Sequence, residues 1–171
     1  SELIQYEVKS KALKQSRQVY VYYPEEYFHY DQKSFPLLVM QDGSECVDLL
    51  PAKDVFDHLI ARQMIRPFVC ILVSPKPGER DKDYIFNSPF ERFLAQDLIE
   101  WTGEQKIRVS ENRFERATLG YSLGGLVSVR TALHHPDVYG LAGGESSAFW
   151  PRDFKIFDEM MQRNPQGTQF Y

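Results

Sequence analysis

A serine set among glycines, Gly120-Tyr121-Ser122-Leu123-Gly124 with Gly125 following, is the part of this chain best suited to covalent chemistry. A serine hydroxyl is a poor nucleophile unless a sharp strand-to-helix turn thrusts it out of the sheet and a base can take its proton. The local pattern predicts that turn. Arg116-Ala117-Thr118-Leu119 reads as a short strand, and Leu126-Val127-Ser128-Val129-Arg130-Thr131-Ala132-Leu133 as a mostly apolar helix. The glycines would remove side chains that collide across the turn. The Leu123 amide would then open a helix, where the dipole favours a developing negative oxygen.

A second oxyanion donor is expected in the loop after the strand that precedes the first sheet-covering helix. Here that loop is Gln41-Asp42-Gly43-Ser44-Glu45. Gly43 is expected to turn the backbone toward the sheet top, leaving the Ser44 amide as donor, with Asp42 accepting local N–H bonds; an ordinary Asp-Gly turn is the alternative. Arg80 is a candidate for substrate oxygens, since its planar fork suits carboxylates or catecholates. A solvated arginine among Glu79, Asp81 and Asp83 is the alternative. Trp150 and Tyr121 complete the candidate substrate contacts, and Phe149 reads equally well as core. Ser146 and Ser147 lack a glycine elbow. His134 and His135 end the helix that starts at the elbow, roughly 17 Å from Ser122 along its axis, too far for a general base. A structural place at the helix C-terminus suits them better. His58 reads as a surface or half-buried residue, and His29 lies in an aromatic connection that the sequence does not place.

The elements that must position these residues alternate. Val19–Tyr23, paired with Ile4–Val8, is an expected early strand. Pro36–Gln41 and Phe68–Val73 are continuously apolar, as in a parallel sheet covered on both faces, and Ala117–Gly120 and Gly140–Gly143 are shorter strands. Asp54–Arg62 and Asp153–Arg163 read as helices, the latter ending near Asn164-Pro165. Ser88 is expected to cap a third helix running to about Gln105, with Pro89 at its first position and Glu91 as capping-box partner. Phe90, Phe93, Leu94, Leu98 and Trp101 would be its buried stripe. The implied fold class is α/β, a mostly parallel sheet with helices on both faces.

The chain has 171 residues, 43% of them hydrophobic, which suits one compact domain spanning residues 1–171. A formal charge of −4 leaves no basic footprint, so neither nucleic acid nor an anionic membrane is an expected partner. No apolar run approaches spanning length, and Ser1-Glu2-Leu3-Ile4-Gln5 lacks the basic and apolar regions of a signal peptide. Cys46, in a loop-like acidic segment, and Cys70, inside an apolar run, suggest neither a metal nor a redox pair; a reduced, cytoplasmic protein is the expectation. No cofactor or metal site is visible.

Together these blocks resemble the esterase family of α/β-hydrolases that includes the enterochelin (ferric siderophore) esterases. Leu38–Glu45 resembles its strand and D-G-x oxyanion segment. Glu79–Tyr84 resembles its R-x-x-E-Y-like loop, with Asp83 where Glu is usual. Leu119–Leu126 resembles its G-x-S-x-G-G elbow, and Glu145–Trp150 its Q-S-G-S-F-W segment. The resemblance implies an α/β-hydrolase fold and a serine esterase working on a small-molecule ester, with any iron arriving in a ferric siderophore substrate. It also implies a triad in the order Ser, acid, His, with both partners past the Phe-Trp helix; they are therefore expected beyond Tyr171, and the C-terminal part of the fold is expected to be absent. Gln166–Tyr171 would begin the next strand. Feruloyl or acetyl carbohydrate esterases share every residue named, and a binding protein on a hydrolase scaffold remains a third class.

Overall fold

The computed structural model describes residues 1–163 and 167–171. Seven strands form one sheet: β1 (Glu2–Ser10), β2 (Gln15–Tyr23), β3 (Leu37–Gln41), β4 (Val69–Val73), β5 (Arg116–Tyr121), β6 (Leu141–Glu145) and β7 (Gln169–Phe170). Their spatial order is β1-β2-β4-β3-β5-β6-β7. The β1–β2 hairpin is antiparallel, with Ile4 opposite Val21, and β2 also meets β4 antiparallel. Every other strand pairing is parallel. The apolar runs explain the centre: all five residues of β4 are buried, because neighbours cover both its edges and helices both its faces.

The helices are α1 (Gly43–Asp48), α2 (Ala52–Ala61), α3 (Arg80–Tyr84), α4 (Ser88–Arg92), α5 (Leu98–Glu104), α6 (Leu123–His134) and α7 (Pro151–Arg163). A π-helical turn, Phe93–Asp97, joins α4 to α5. The larger core cluster gathers Phe90, Phe93, Leu94, Leu98 and Trp101 with Leu126, Val127 and Ile156. The smaller one, around Tyr22, Cys46, Cys70 and Leu72, receives Phe56 and Ile60 from α2. Helices thus cover two faces, and connections right-handed on each put the change of direction between β3 and β5.

Four local expectations are corrected. Asn87 caps α4, its side chain accepting the Phe90 N–H at 3.0 Å, while Ser88 is the first helical residue. Glu91 does not close a capping box; it is buried and bound to Arg130 and His134. Cys46 is not in a loop but buried in α1, and burial pushes its thiol up to about 11. At the start of α7, Arg152, Asp153 and Phe154 have φ of 53, 53 and 59°, so the right-handed turns begin after Phe154. The expected end of this helix at Asn164-Pro165, and Gln166 of the expected strand start, lie outside the described residues. Among those described, no helix is long and apolar enough to cross a membrane.

Candidate active site

Open parallel sheets bind ligands beyond the C-terminal strand ends, where the strand order reverses. That point lies between β3 and β5, and the two candidate turns leave the sheet there. The registers pair Met40 with Leu119, so Gln41–Asp42 and Gly120–Tyr121 emerge side by side. A larger cavity of about 760 Å³, lined by Tyr22, Glu26, Asp57 and Pro67, opens at the opposite edge, where β4 begins.

At the β5–α6 turn Ser122 has φ 54° and ψ −124°, a conformation that non-glycine residues avoid. Its carbonyl accepts the amides of Gly125, Leu126 and Ala148, and its own N–H donates to Glu145 of β6. This web over-determines the turn. Each glycine has a steric reason. A Cβ on Gly120 would lie 2.4 Å from the Gly124 carbonyl, and one on Gly125 would lie 2.1 Å from Ser147 Oγ. The Ser122 hydroxyl is half-exposed and has no hydrogen-bond partner among the described residues. The Leu123 and Gly124 amides, in the first turn of α6, have no acceptor either, as helix N-termini require.

The Asp42–Ser44 turn differs from expectation. Asp42, not Gly43, takes the left-handed conformation, at φ 58° and ψ 45°. Gly43 is needed for close packing instead, because a Cβ there would sit 2.6 Å from the Leu72 backbone. The segment is the start of α1 rather than a loop, which leaves the Gly43 and Ser44 amides without acceptors. Ser44 Oγ is turned away to Ser74 Oγ, at 2.8 Å. The two turns approach one another, since a Cβ on Gly124 would reach Asp42 Oδ2 at 3.0 Å.

Asp42 does not accept local amides. Its carboxylate, 1% exposed, receives Arg80 Nε at 2.7 Å and Nη2 at 2.9 Å. Its N–H donates to the Tyr84 hydroxyl at 3.0 Å. Two nitrogens of the fork expected to meet substrate are therefore taken by Asp42, and this bond holds the guanidinium above its ordinary pKa. Its carbon stands 5.0 Å from the Tyr84 ring centroid and 5.5 Å from that of Tyr121. Tyr121 donates to Glu45, and this bond, aided by burial, raises its phenol to about 12. A cavity of about 280 Å³ lies against Asp42, Ser44, Glu45, Lys76 and Arg80.

Other candidates disperse. Trp150 is 62% exposed, two residues past the Ala148 amide that binds Ser122. Phe149 is half-buried edge-on to Phe157. Asp83 is buried, paired with Arg17 Nη2 at 2.8 Å and accepting the Lys76 amide. No histidine serves the elbow: His29 pairs loosely with Glu25, His58 is exposed on α2, and His134 Nδ1 is 2.7 Å from Glu91 Oε2. His135 follows the end of α6, where burial lowers its pKa. The Asp42–Arg80 clamp and the Glu45–Tyr121 bond escaped the sequence reading. The one available signal was the Arg80–Tyr84 spacing, which puts both residues on one helical face.

A family profile described as "Putative esterase" matches residues 10–169. The iron(III) enterobactin esterase of Escherichia coli K12 is 27% identical over 144 residues, covering 83% of this chain and 35% of that protein. An endo-1,4-β-xylanase/feruloyl esterase of Xylanibacter ruminicola is 26% identical over 140 residues, covering 72% of this chain and 18% of its own. This chain thus spans about a third or less of the curated relatives it matches. A crystal structure of the Shigella flexneri enterobactin esterase in the presence of enterobactin superposes with a TM-score of 0.87 at 22% identity, over 99% of this chain and 45% of the other.

Proposed function

Because the chain belongs to this esterase family and has the α/β-hydrolase fold, we propose that it carries the nucleophile and oxyanion hole of a serine esterase. Ser122 Oγ attacks the ester carbonyl, the amides of Leu123 and Ser44 receive the oxyanion, the alcohol leaves, and water releases the acyl group from Ser122. Each oxyanion donor of this kind contributes roughly 10²–10³-fold in kcat. The base that accepts the serine proton is one the described residues do not contain, since none of the four histidines is bonded to the elbow serine. Tyr121 and Trp150 are assigned as substrate contacts. Arg80 acts through Asp42.

The observation that carries this reading is the strained Ser122 backbone with its hydroxyl unpartnered beside free helix N-terminal amides. The ester class we propose is a siderophore trilactone, on the strength of the enterobactin esterase relatives. The Xylanibacter relative favours a second reading, a feruloyl ester. In the full-length protein, a fluorophosphonate should label Ser122, located by mass spectrometry, and Ser122→Ala should abolish both labelling and p-nitrophenyl ester turnover. Turnover that survives Ser122→Ala refutes the nucleophile. Relative kcat/KM for a ferric catecholate trilactone and a feruloyl ester decides between the two classes.

A further inference from the structure

Arg80 is engaged by Asp42 through Nε and Nη2, and a separate collection of unpaired positive charge lies on the α6–α7 flank. The Phe86 ring, between α3 and α4, has the Arg130 guanidinium carbon 4.1 Å from its centroid, that of Arg152 at 4.9 Å and Lys155 Nζ at 5.7 Å. These residues line a cleft of about 410 Å³ with Ser88, Glu159 and Arg163. Arg130, whose side chain is 4% exposed, is held by Glu91 Oε1 at 2.8 Å and Glu159 Oε2 at 2.6 Å. Among the described residues, no carboxylate pairs with Arg152, Lys155 or Arg163. Three cations thus crowd one aromatic ring and Arg163 lines the same cleft, while the two carboxylates there are taken by Arg130, an arrangement that an incoming anion relieves. Phe86 and Arg152 also take left-handed backbone conformations, at φ 50 and 53°, and such strain clusters at ligand clamps.

We propose that this cleft is an anion subsite for carboxylate or catecholate oxygens of the ester, an assignment that rests on the esterase reading above. The placement suits it. Arg130 lies eight residues along α6 from Ser122, roughly 12 Å along the axis. Arg152 follows Ala148, whose amide binds the Ser122 carbonyl, by four residues. The preferred ester therefore carries negative charge at a reach of about 12 Å, the rise of α6 between Ser122 and Arg130.

Two esters of matched length test this in the full-length protein: the p-nitrophenyl monoester of sebacic acid, which ends in a carboxylate, and p-nitrophenyl decanoate, which does not. The double variant Arg152→Glu/Lys155→Glu changes two exposed residues outside the catalytic machinery. It should raise KM for the charged ester about tenfold or more and leave the neutral one within about twofold. Equal effects on both esters, or none on either, overturn the subsite. Calorimetric titration of Ser122→Ala protein with a ferric tris-catecholate reads the site without turnover. Reversal of the two charges should weaken binding about tenfold, and unchanged binding overturns the proposal. If wild-type protein cleaves neither ester but loses the chelate on charge reversal, the esterase reading falls and the anion site stands.

Discussion

The strain at Ser122 can be weighed against glycine entropy. At most positions glycine is worse than alanine by about 0.4–1 kcal/mol, because its unfolded chain has more freedom to lose. At φ 54° and ψ −124° a side chain costs about 1–3 kcal/mol, which alanine keeps and glycine sheds. Ser122→Gly should therefore be more stable than Ser122→Ala by about 0.5–2 kcal/mol, a reversal of the usual order. For a chain of this size each kcal/mol moves Tm by about 2–4 °C. Neither variant has a hydroxyl, so the comparison isolates the backbone from the chemistry. Ser128, buried in α6, is the control, and there Ala should exceed Gly by about 1 kcal/mol. Thermal unfolding of the four variants by circular dichroism gives the answer. If alanine equals or exceeds glycine at position 122, the turn is not held in the strained conformation, and the argument for a projecting nucleophile loses its footing.

Two glycines should respond in opposite directions: Gly103→Ala in α5 meets nothing within 4 Å and should stabilise by about 0.5–1 kcal/mol, whereas Gly120→Ala meets backbone at 2.4 Å and should destabilise and abolish turnover. Denaturant midpoints measure both. Removing charge from the buried Glu91 carboxylate by Glu91→Gln leaves buried Arg130 and His134 with Glu159 as their one remaining carboxylate and should cost about 3 kcal/mol at neutral pH. Burial raises the pKa of Glu91, but its bonds to His134 and Arg130 outweigh this and the net shift is downward. Its contribution is therefore complete above the unfolded value of about 4.3 and lost as pH falls through the lower folded value, so Tm should drop more steeply in acid for wild type than for Glu91→Gln. Asp42→Asn should lower kcat by about 10–100-fold with KM little changed, because it loosens the turn presenting the Ser44 amide rather than the substrate contacts; a change confined to KM would contradict this.

What was legible in the sequence was local. The apolar runs at Leu37–Gln41 and Val69–Val73 need no partner to be read as covered parallel strands, and the elbow glycines state their own steric requirement. What was not legible depended on residues far apart in the chain. Glu91 stands where a capping box would use it, but Arg130 and His134, 39 and 43 residues away, recruit it and leave the cap to Asn87. Arg80 looked free among acidic neighbours, yet the carboxylate that binds it is Asp42, 38 residues upstream. Cys46 looked like part of a loop because the local composition is acidic; only the fold reveals that α1 turns this side chain inward against Cys70 and Leu72.

An oxyanion hole built from two turns needs amides from separate strands to agree in position to a few tenths of an ångström. Sheet register brings Gln41 and Gly120 together, but it does not orient the turns that leave them. Asp42 supplies the missing constraint. Its N–H is tied to Tyr84 and its carboxylate to Arg80, both on α3, while Oδ2 packs against the Gly124 Cα of the elbow helix. The left-handed conformation at Asp42 turns the chain from β3 into α1 and leaves the Gly43 and Ser44 amides free, and glycine at 124 is what lets the Asp42 carboxylate approach α6. The D-G dipeptide, the Arg80–Tyr84 pair and the second glycine of the elbow, three separate sequence blocks, are thus parts of one contact. That explains why the pair on α3 belongs with the site: both side chains already hold Asp42.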